Sequence, residues 1–219
     1  MTAIPTMDSQ SARYRMVAKD IVGRGVVDRK VIAAMASVPR EDFVPPGLIQ
    51  EAYADNPLPI GHGQTISQPY IVAAMLEALE LEGGERVLEV GTGSGYAAAV
   101  LSEIAGEVFT IERNQRLAES AAARLREGGY DNVEVRFGDG TLGWPEHAPF
   151  DGIVVAAGAP SVPEALRDQL KVGGHLIVPV GPYHEPQALV RETRRPDGTF
   201  DRQELGVVRF VPLLGGADG

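Results

Sequence analysis

Apolar residues recur at two different periods along this chain, and the change of period divides it. Between residues 13 and 36 they fall at helical spacing: Met16, Val17, Ile21 and Val22, then Val31, Ile32 and Met35. Gly23-x-Gly25 interrupts the run, so two helices are predicted. Residues 1–12 are polar and mixed and read as a loose tail. Val38–Phe43 closes this section. Residues 44–61 carry Pro45, Pro46, Pro57 and Pro59 and read as loop, and residues 62–69 continue as polar loop. Tyr70–Leu81 returns to helical spacing and stops at Gly83-Gly84.

From Arg86 onward, short apolar runs alternate with helical patterns. Strands are predicted at 86–90, 107–111, 133–137, 150–156 and 174–180, and helices at 96–105, 114–127 and 163–170. That alternation predicts a parallel sheet with right-handed crossovers. Gly152–Ala157 is apolar throughout, as a strand covered on both faces should be. Gln187–Arg194 and Val207–Val211, on either side of Pro196-Asp197-Gly198, predict an antiparallel hairpin on the sheet edge. The predicted fold is α/β, doubly wound and Rossmann-like, with a mostly parallel sheet, an N-terminal helical segment and an antiparallel C-terminal edge. Residues 1–84 hold the N-terminal helices and loops and 85–219 the sheet; a chain of 219 residues fits one compact domain built from both.

The chemistry is written at the ends of the predicted strands. Residues 85–95 read Glu-Arg-Val-Leu-Glu-Val-Gly-Thr-Gly-Ser-Gly: a strand, a glycine turn and a helix N-terminus. Such a turn brings backbone N–H groups close to a nucleotide-like ligand. The second strand ends on Glu112, where an acid can accept both hydroxyls of a ribose. The run Gly91-x-Gly93-x-Gly95 differs from the G-x-G-x-x-G of dinucleotide sites, and Glu89 lies two residues upstream. An acid there repels a pyrophosphate and suits a cation. S-adenosylmethionine carries a sulfonium and an ammonium and no phosphate, so the set favours that cofactor over NAD. Gly138-Asp139-Gly140 follows the third strand, which places Asp139 to accept from an adenine amine; the plain local alternative is an Asp-Gly turn.

Composition narrows the partners. Net charge is −10, and the densest basic cluster (Arg191, Arg194, Arg195) is interleaved with acids, so nucleic acid is not the expected substrate. There is no cysteine, hence no thiol nucleophile and no thiolate metal site. His147, His175 and His184 lack metal-ligand spacing, so no metal is expected. No run resembles a signal peptide or reaches membrane-spanning length, so a cytoplasmic protein is expected.

One more segment decides the resemblance. Ile60-Gly61-His62-Gly63-Gln64-Thr65-Ile66-Ser67-Gln68-Pro69-Tyr70 stands with Val38-Pro39-Arg40-x-x-Phe43-Val44, Val87–Tyr96, Gly138-Asp139-Gly140 with Gly143-Trp144, Ala148–Asp151 and Val208–Leu213. With these motifs the chain resembles the protein-L-isoaspartate O-methyltransferases from about Arg15 to Leu213. The resemblance implies a class I fold using S-adenosylmethionine, a monomer in the cytoplasm, and isoaspartyl proteins and peptides as substrates. It implies methylation of the isoaspartyl α-carboxylate, after which a succinimide re-forms and reopens toward aspartate.

The same resemblance implies the site. Ser67 is its catalytic residue, orienting the carboxylate, with Ile60, His62, Gln64, Thr65 and Ile66 beside it on the substrate side. Glu89, Gly91, Thr92, Gly93, Ser94, Gly95, Glu112, Arg113, Gly138, Asp139 and Gly140 hold the cofactor. A carboxylate is already ionised at neutral pH, so no base is required and His62 needs no catalytic role. Ser67 can equally serve as the N-cap of the helix that follows, and Arg209 can pair with an acid or reach substrate. Gly158, where another small residue or proline is expected, predicts a looser loop beside the cofactor. Three other readings stay open: esterification of aspartate in a dedicated partner peptide, a non-catalytic adenosine-binding module, and an NAD-dependent oxidoreductase. Relatives with a dedicated peptide often carry a C-terminal extension, and an end at Gly219 fits the general repair form.

Overall fold

Seven strands form one sheet in the computed structural model, which describes residues 8–183 and 185–216. Numbered along the chain, the strands are β1 Leu58–Gly61, β2 Gln64–Ile66, β3 Arg86–Val90, β4 Glu107–Glu112, β5 Val133–Phe137, β6 Phe150–Val155, β7 Leu170–Val180, β8 Gln187–Arg194 and β9 Phe200–Val208. The helices are α1 Ser9–Met16, α2 Arg29–Ser37, α3 Pro69–Glu77, α4 Tyr96–Ser102, α5 Gln115–Glu127 and α6 Glu164–Asp168. The main sheet runs β5-β4-β3-β6-β7-β8-β9. β5 through β7 pair in parallel, and β8 and β9 add antiparallel, as the alternation predicted.

Strand order reverses at β3, because β4 and β5 lie on one side and β6 and β7 on the other. The carboxyl ends of β3 and β6 therefore flank a crevice, the usual ligand position in such sheets. Alternation along β3 sends Val87 to one apolar cluster and Leu88 and Val90 to another, so a core lies on each face. The first core runs from Met16 through Val72, Val87 and Leu101 to Val208, and fastens the N-terminal segment to the sheet. The second gathers Phe109, Trp144, Phe150, Leu166 and Leu213. Trp144 is buried there, edge-on to Phe109 at 5.5 Å, and packs rather than facing ligand.

Four elements depart from expectation. The predicted loose tail lies partly outside the described residues, but Asp8 caps a helix that starts at Ser9 by accepting from the Ser11 amide. α1 passes through a π turn at Val17–Ile21 and a 3-10 turn, and ends at Gly25 with φ 100°. The loop predicted over 58–66 is instead the hairpin β1–β2. His62 and Gly63 have φ of 51° and 70°, the positive pair that a two-residue type I′ turn needs, and short strands with Pro59 hide the alternation. The last edge strand begins at Phe200 rather than Val207. Thr199 closes the turn by accepting the Arg195 amide at 2.8 Å, and Asp201–Glu204 are exposed on both faces, so no apolar period marks them. Gly158 does not loosen its loop. Its amide donates to Val211 at 2.8 Å and its carbonyl accepts from Leu213 at 2.7 Å. His184 lies outside the described residues.

Candidate active site

The glycine turn after β3 is braced from β4. The amides of Gly91 and Thr92 both donate to the Ile111 carbonyl, at 2.8 and 3.3 Å. Gly91, Gly93 and Gly95 have φ of 99°, 53° and 90°, a left-handed run that side chains oppose. Gly95 also packs closely, since a Cβ there would lie 3.3 Å from Leu125. Glu112 holds the turn from below. One carboxylate oxygen accepts the Gly93 amide at 2.9 Å and the other the Asn114 amide at 2.9 Å.

Glu89 is buried at 1% exposure. Thr110 donates to it at 2.6 Å, and the Thr92 and Thr110 hydroxyls lie 2.6 Å apart. Thr92, Thr110 and Glu89 thus form one buried hydrogen-bonded chain beneath the turn. Burial pushes the Glu89 carboxyl up to about 8 against that hydrogen bond, with the Glu112 charge adding to the rise.

These groups line a cavity of about 240 Å³ at the reversal of strand order. His62, Gln64, Thr65, Ile66 and Ser67 form its wall on the hairpin side; Glu89, Gly91, Thr92, Gly93, Ser94, Glu112, Arg113 and Gly140 form its floor. Ile60 reaches the floor indirectly, its Cδ1 standing 3.3 Å from where a Gly93 Cβ would be. Gly95, Gly138 and Asp139 are not on the lining. The Asp139 carboxylate is engaged elsewhere. One oxygen accepts from the Thr141 amide and hydroxyl at 2.9 and 2.6 Å, the other from the Gly216 amide at 2.6 Å. An adenine amine reaching Asp139 would share that second oxygen with Gly216.

The sequence pattern left some wall residues unassigned. Val211, Pro212, Leu213 and Leu214 close the cavity from the C-terminal side, and Tyr96, Ala156 and Ala157 complete it. The signal for the first group was present in the Val208–Leu213 motif, but nothing local says that it crosses the sheet to Gly158. A second cavity of about 450 Å³ adjoins, lined by Pro57, Gln68, Ile71, Arg209 and Phe210; Thr65, Ser67, Ala156 and Val211 border both. Arg209 is exposed on that wall.

Ser67 is not the helix cap. Gln68 occupies the N-cap position of α3 and Pro69 is at N1. The open amide of Tyr70 is taken by Asp55 at 3.0 Å, and the other Asp55 oxygen accepts from the Gln68 side chain at 2.6 Å and from Arg24 at 2.7 Å. Asp55 comes from the proline-rich loop, and no spacing connects it to α3.

The Glu112 carboxylate and a left-handed amide turn suit a phosphate-free ligand, whereas a pyrophosphate would meet the Glu112 charge. A family model described as protein-L-isoaspartate(D-aspartate) O-methyltransferase matches residues 12–218. The chain belongs to that family. It is 61% identical over 203 residues to protein-L-isoaspartate O-methyltransferase 1 of Rhodopseudomonas palustris, covering 93% of this chain and 83% of that one. It is 56% identical to protein-L-isoaspartate O-methyltransferase 2 of Pelobacter propionicus, covering 96% and 94%. A solved protein-L-isoaspartate O-methyltransferase superposes with a TM-score of 0.84 at 32% identity, covering 93% of this chain and 66% of that longer one. A Plasmodium falciparum structure of the same description, in complex with S-adenosyl-L-homocysteine, gives 0.79 at 26% identity, covering 95% and 99%.

In this methyltransferase His147 and His175 are tied into the fold away from the cavity. His147 stacks on Phe109 at 4.1 Å, and His175 bonds Thr193 at 2.9 Å. Among the described residues no group of three or more His, Asp or Glu side chains could hold a metal ion, and no helix is long and apolar enough to cross a membrane.

Proposed function

We infer that this chain transfers a methyl group from S-adenosylmethionine to the α-carboxylate of L-isoaspartyl residues in proteins and peptides, starting their repair. The observation that carries the reading is the position of Ser67, on the border between the cofactor cavity and the adjoining cavity. A peptide in the second cavity presents its carboxylate at that border. When bound, the cofactor supplies a sulfonium-activated methyl, and the carboxylate oxygen forms its new bond as the carbon–sulfur bond breaks.

The residues have a limited task. Glu112 and the glycine turn seat the adenosyl group, and Glu89 and Thr92 form the floor beside it. The Ser67 hydroxyl donates to one carboxylate oxygen and leaves the other to react. Holding two reactants in line is worth up to about 7–11 kcal/mol, and no proton has to move. The N-terminal segment and the sheet work as one unit through their shared core. The enzyme acts as a cytoplasmic monomer, with neither nucleic acid nor membrane as partner.

The test is labelled methyl transfer to matched isoaspartyl and aspartyl peptides. The two differ in where the carboxylate lands, and a displacement of about 1 Å is enough to cost roughly a hundredfold in rate. Transfer to the isoaspartyl peptide alone is expected. Equal rates on both, or activity confined to one partner peptide, would favour deliberate esterification of aspartate instead.

A further inference from the structure

The reaction above leaves one motif without a task, Val38-Pro39-Arg40-x-x-Phe43-Val44. Arg40 opens the 3-10 turn Arg40–Phe43 and is 0% exposed. Two of its guanidinium nitrogens donate to backbone carbonyls from two separate loops, and the third, Nη1, is buried with no hydrogen-bond partner. Nε donates to Ala52 at 2.8 Å, and Nη2 donates to Ser67 at 2.8 Å. Among the described residues no carboxylate pairs with it. The guanidinium carbon also stands 4.8 Å from the ring centroid of Tyr96, the residue that follows Gly95 and lines the cofactor cavity.

A buried cation with no carboxylate in ion-pairing distance and one unsatisfied nitrogen is a costly way to fill a core. An apolar residue would pack the space more cheaply. What an apolar residue cannot do is grip a carbonyl. Asp55 fixes the chain just after Ser67, through Gln68 and Tyr70. Arg40 fixes Ser67 itself, and joins it to the aromatic ring at the head of α4. The rigid, forked guanidinium suits this use, because it holds two acceptors at set angles.

We propose that Arg40 is a positioning residue for methyl transfer: by gripping the Ser67 carbonyl while packed beside the Tyr96 ring, it sets the angle at which the Ser67 hydroxyl meets the substrate carboxylate. The proposal rests on the reading of Ser67 as the orienting donor. It treats the motif as the support of the catalytic loop, acting through backbone rather than by touching substrate.

The test is a cycle of Arg40→Met, Arg40→Lys, Ser67→Ala and the Ser67→Ala/Arg40→Met double variant. Turnover and KM for an isoaspartyl peptide, S-adenosylhomocysteine affinity and unfolding midpoint are measured for each. Arg40→Met should lower kcat by about 10–100-fold, the scale of an angstrom-level misplacement, with cofactor affinity near wild type. Arg40→Lys reaches one carbonyl but not both, and should recover part of the loss. The double variant should lose little more than Ser67→Ala alone, since both changes disable one device. Additive losses would overturn the proposal, as would an Arg40→Met protein whose stability and cofactor affinity fall while kcat of the folded fraction holds. Wild-type turnover in Ser67→Ala alone would strike the reading of Ser67 first, and separately. If Arg40→Met does not fold, Arg40→Lys decides: an unchanged kcat overturns the proposal, and a lowered kcat with intact cofactor binding supports it.

Discussion

The Glu112 carboxylate accepts the Gly93 amide at 2.9 Å, tying the end of β4 to the turn that follows β3. Its other oxygen holds Asn114, whose own side chain caps α5 at Leu117. One residue therefore shapes the turn and lines the cavity. Glu112→Ala should weaken S-adenosylhomocysteine by about 1.5–3 kcal/mol, the worth of hydrogen bonds to a charged acceptor. Glu112→Gln retains one acceptor and should lose less. Calorimetry distinguishes the two variants, and wild-type affinity in Glu112→Ala would remove Glu112 from the cofactor site.

Much of this was legible because the relevant rules are local. The strand-to-turn-to-helix succession, the glycine spacing and an acid at the end of the next strand all sit within short windows of sequence. Hairpin β1–β2 was not legible. Its strands are too short to show a period, and its register comes from the left-handed pair His62-Gly63. Asp55 and the Val211–Leu214 wall were hidden for another reason. Their partners, Tyr70 and Gly158, are fixed by tertiary approach, which no spacing encodes. Asp139 shows the converse. Its position after β5 is as expected, but Thr141 and Gly216 already engage its oxygens.

Glu89 makes stability depend on pH in an unusual direction. Its folded carboxyl is raised from 4.5 to about 8, so between those values the folded protein keeps a proton that the unfolded chain has lost. A folded state that binds more protons loses stability as pH rises, here through the window ending at about 8. Each unit of difference is worth about 1.4 kcal/mol. Glu89→Gln cannot ionise and should escape this loss. Its unfolding midpoint relative to wild type should rise steadily from pH 5 to pH 8.5, about the span set by the folded and unfolded pKa values. Parallel curves would mean that Glu89 is ionised in the folded state throughout.

Gly140 has a packing reason to be glycine. A Cβ there would clash with Cγ1 of Val90, the last residue of β3. Gly140→Ala should cost about 1–3 kcal/mol in urea unfolding, as overpacked cores do. Val90→Ala removes the clashing methyl, so the double variant should be more stable than the two single losses added together. Strict additivity would show that the strain is relieved elsewhere.

Ser67 is left without a capping role, because Asp55 takes the α3 amide that a serine near a helix start would otherwise cap. Its hydroxyl is assigned to orientation, neither attacking nor removing a proton. Ser67→Ala should then lower turnover by about 10–1000-fold, the range for loss of one preorganised donor. Cofactor affinity should stay near wild type, because the groups proposed to hold the adenosyl part lie on β3, β4 and the turn after β3. The rate above about pH 6 should show no ionisation of a general base, since the substrate carboxylate is charged there. Three outcomes would each damage a different part of this account. Wild-type turnover in Ser67→Ala would leave Ser67 as a piece of loop. A basic limb in the rate profile would bring in a proton acceptor. A methylated Ser67 detected by mass spectrometry on the reaction path would replace direct displacement by a covalent route.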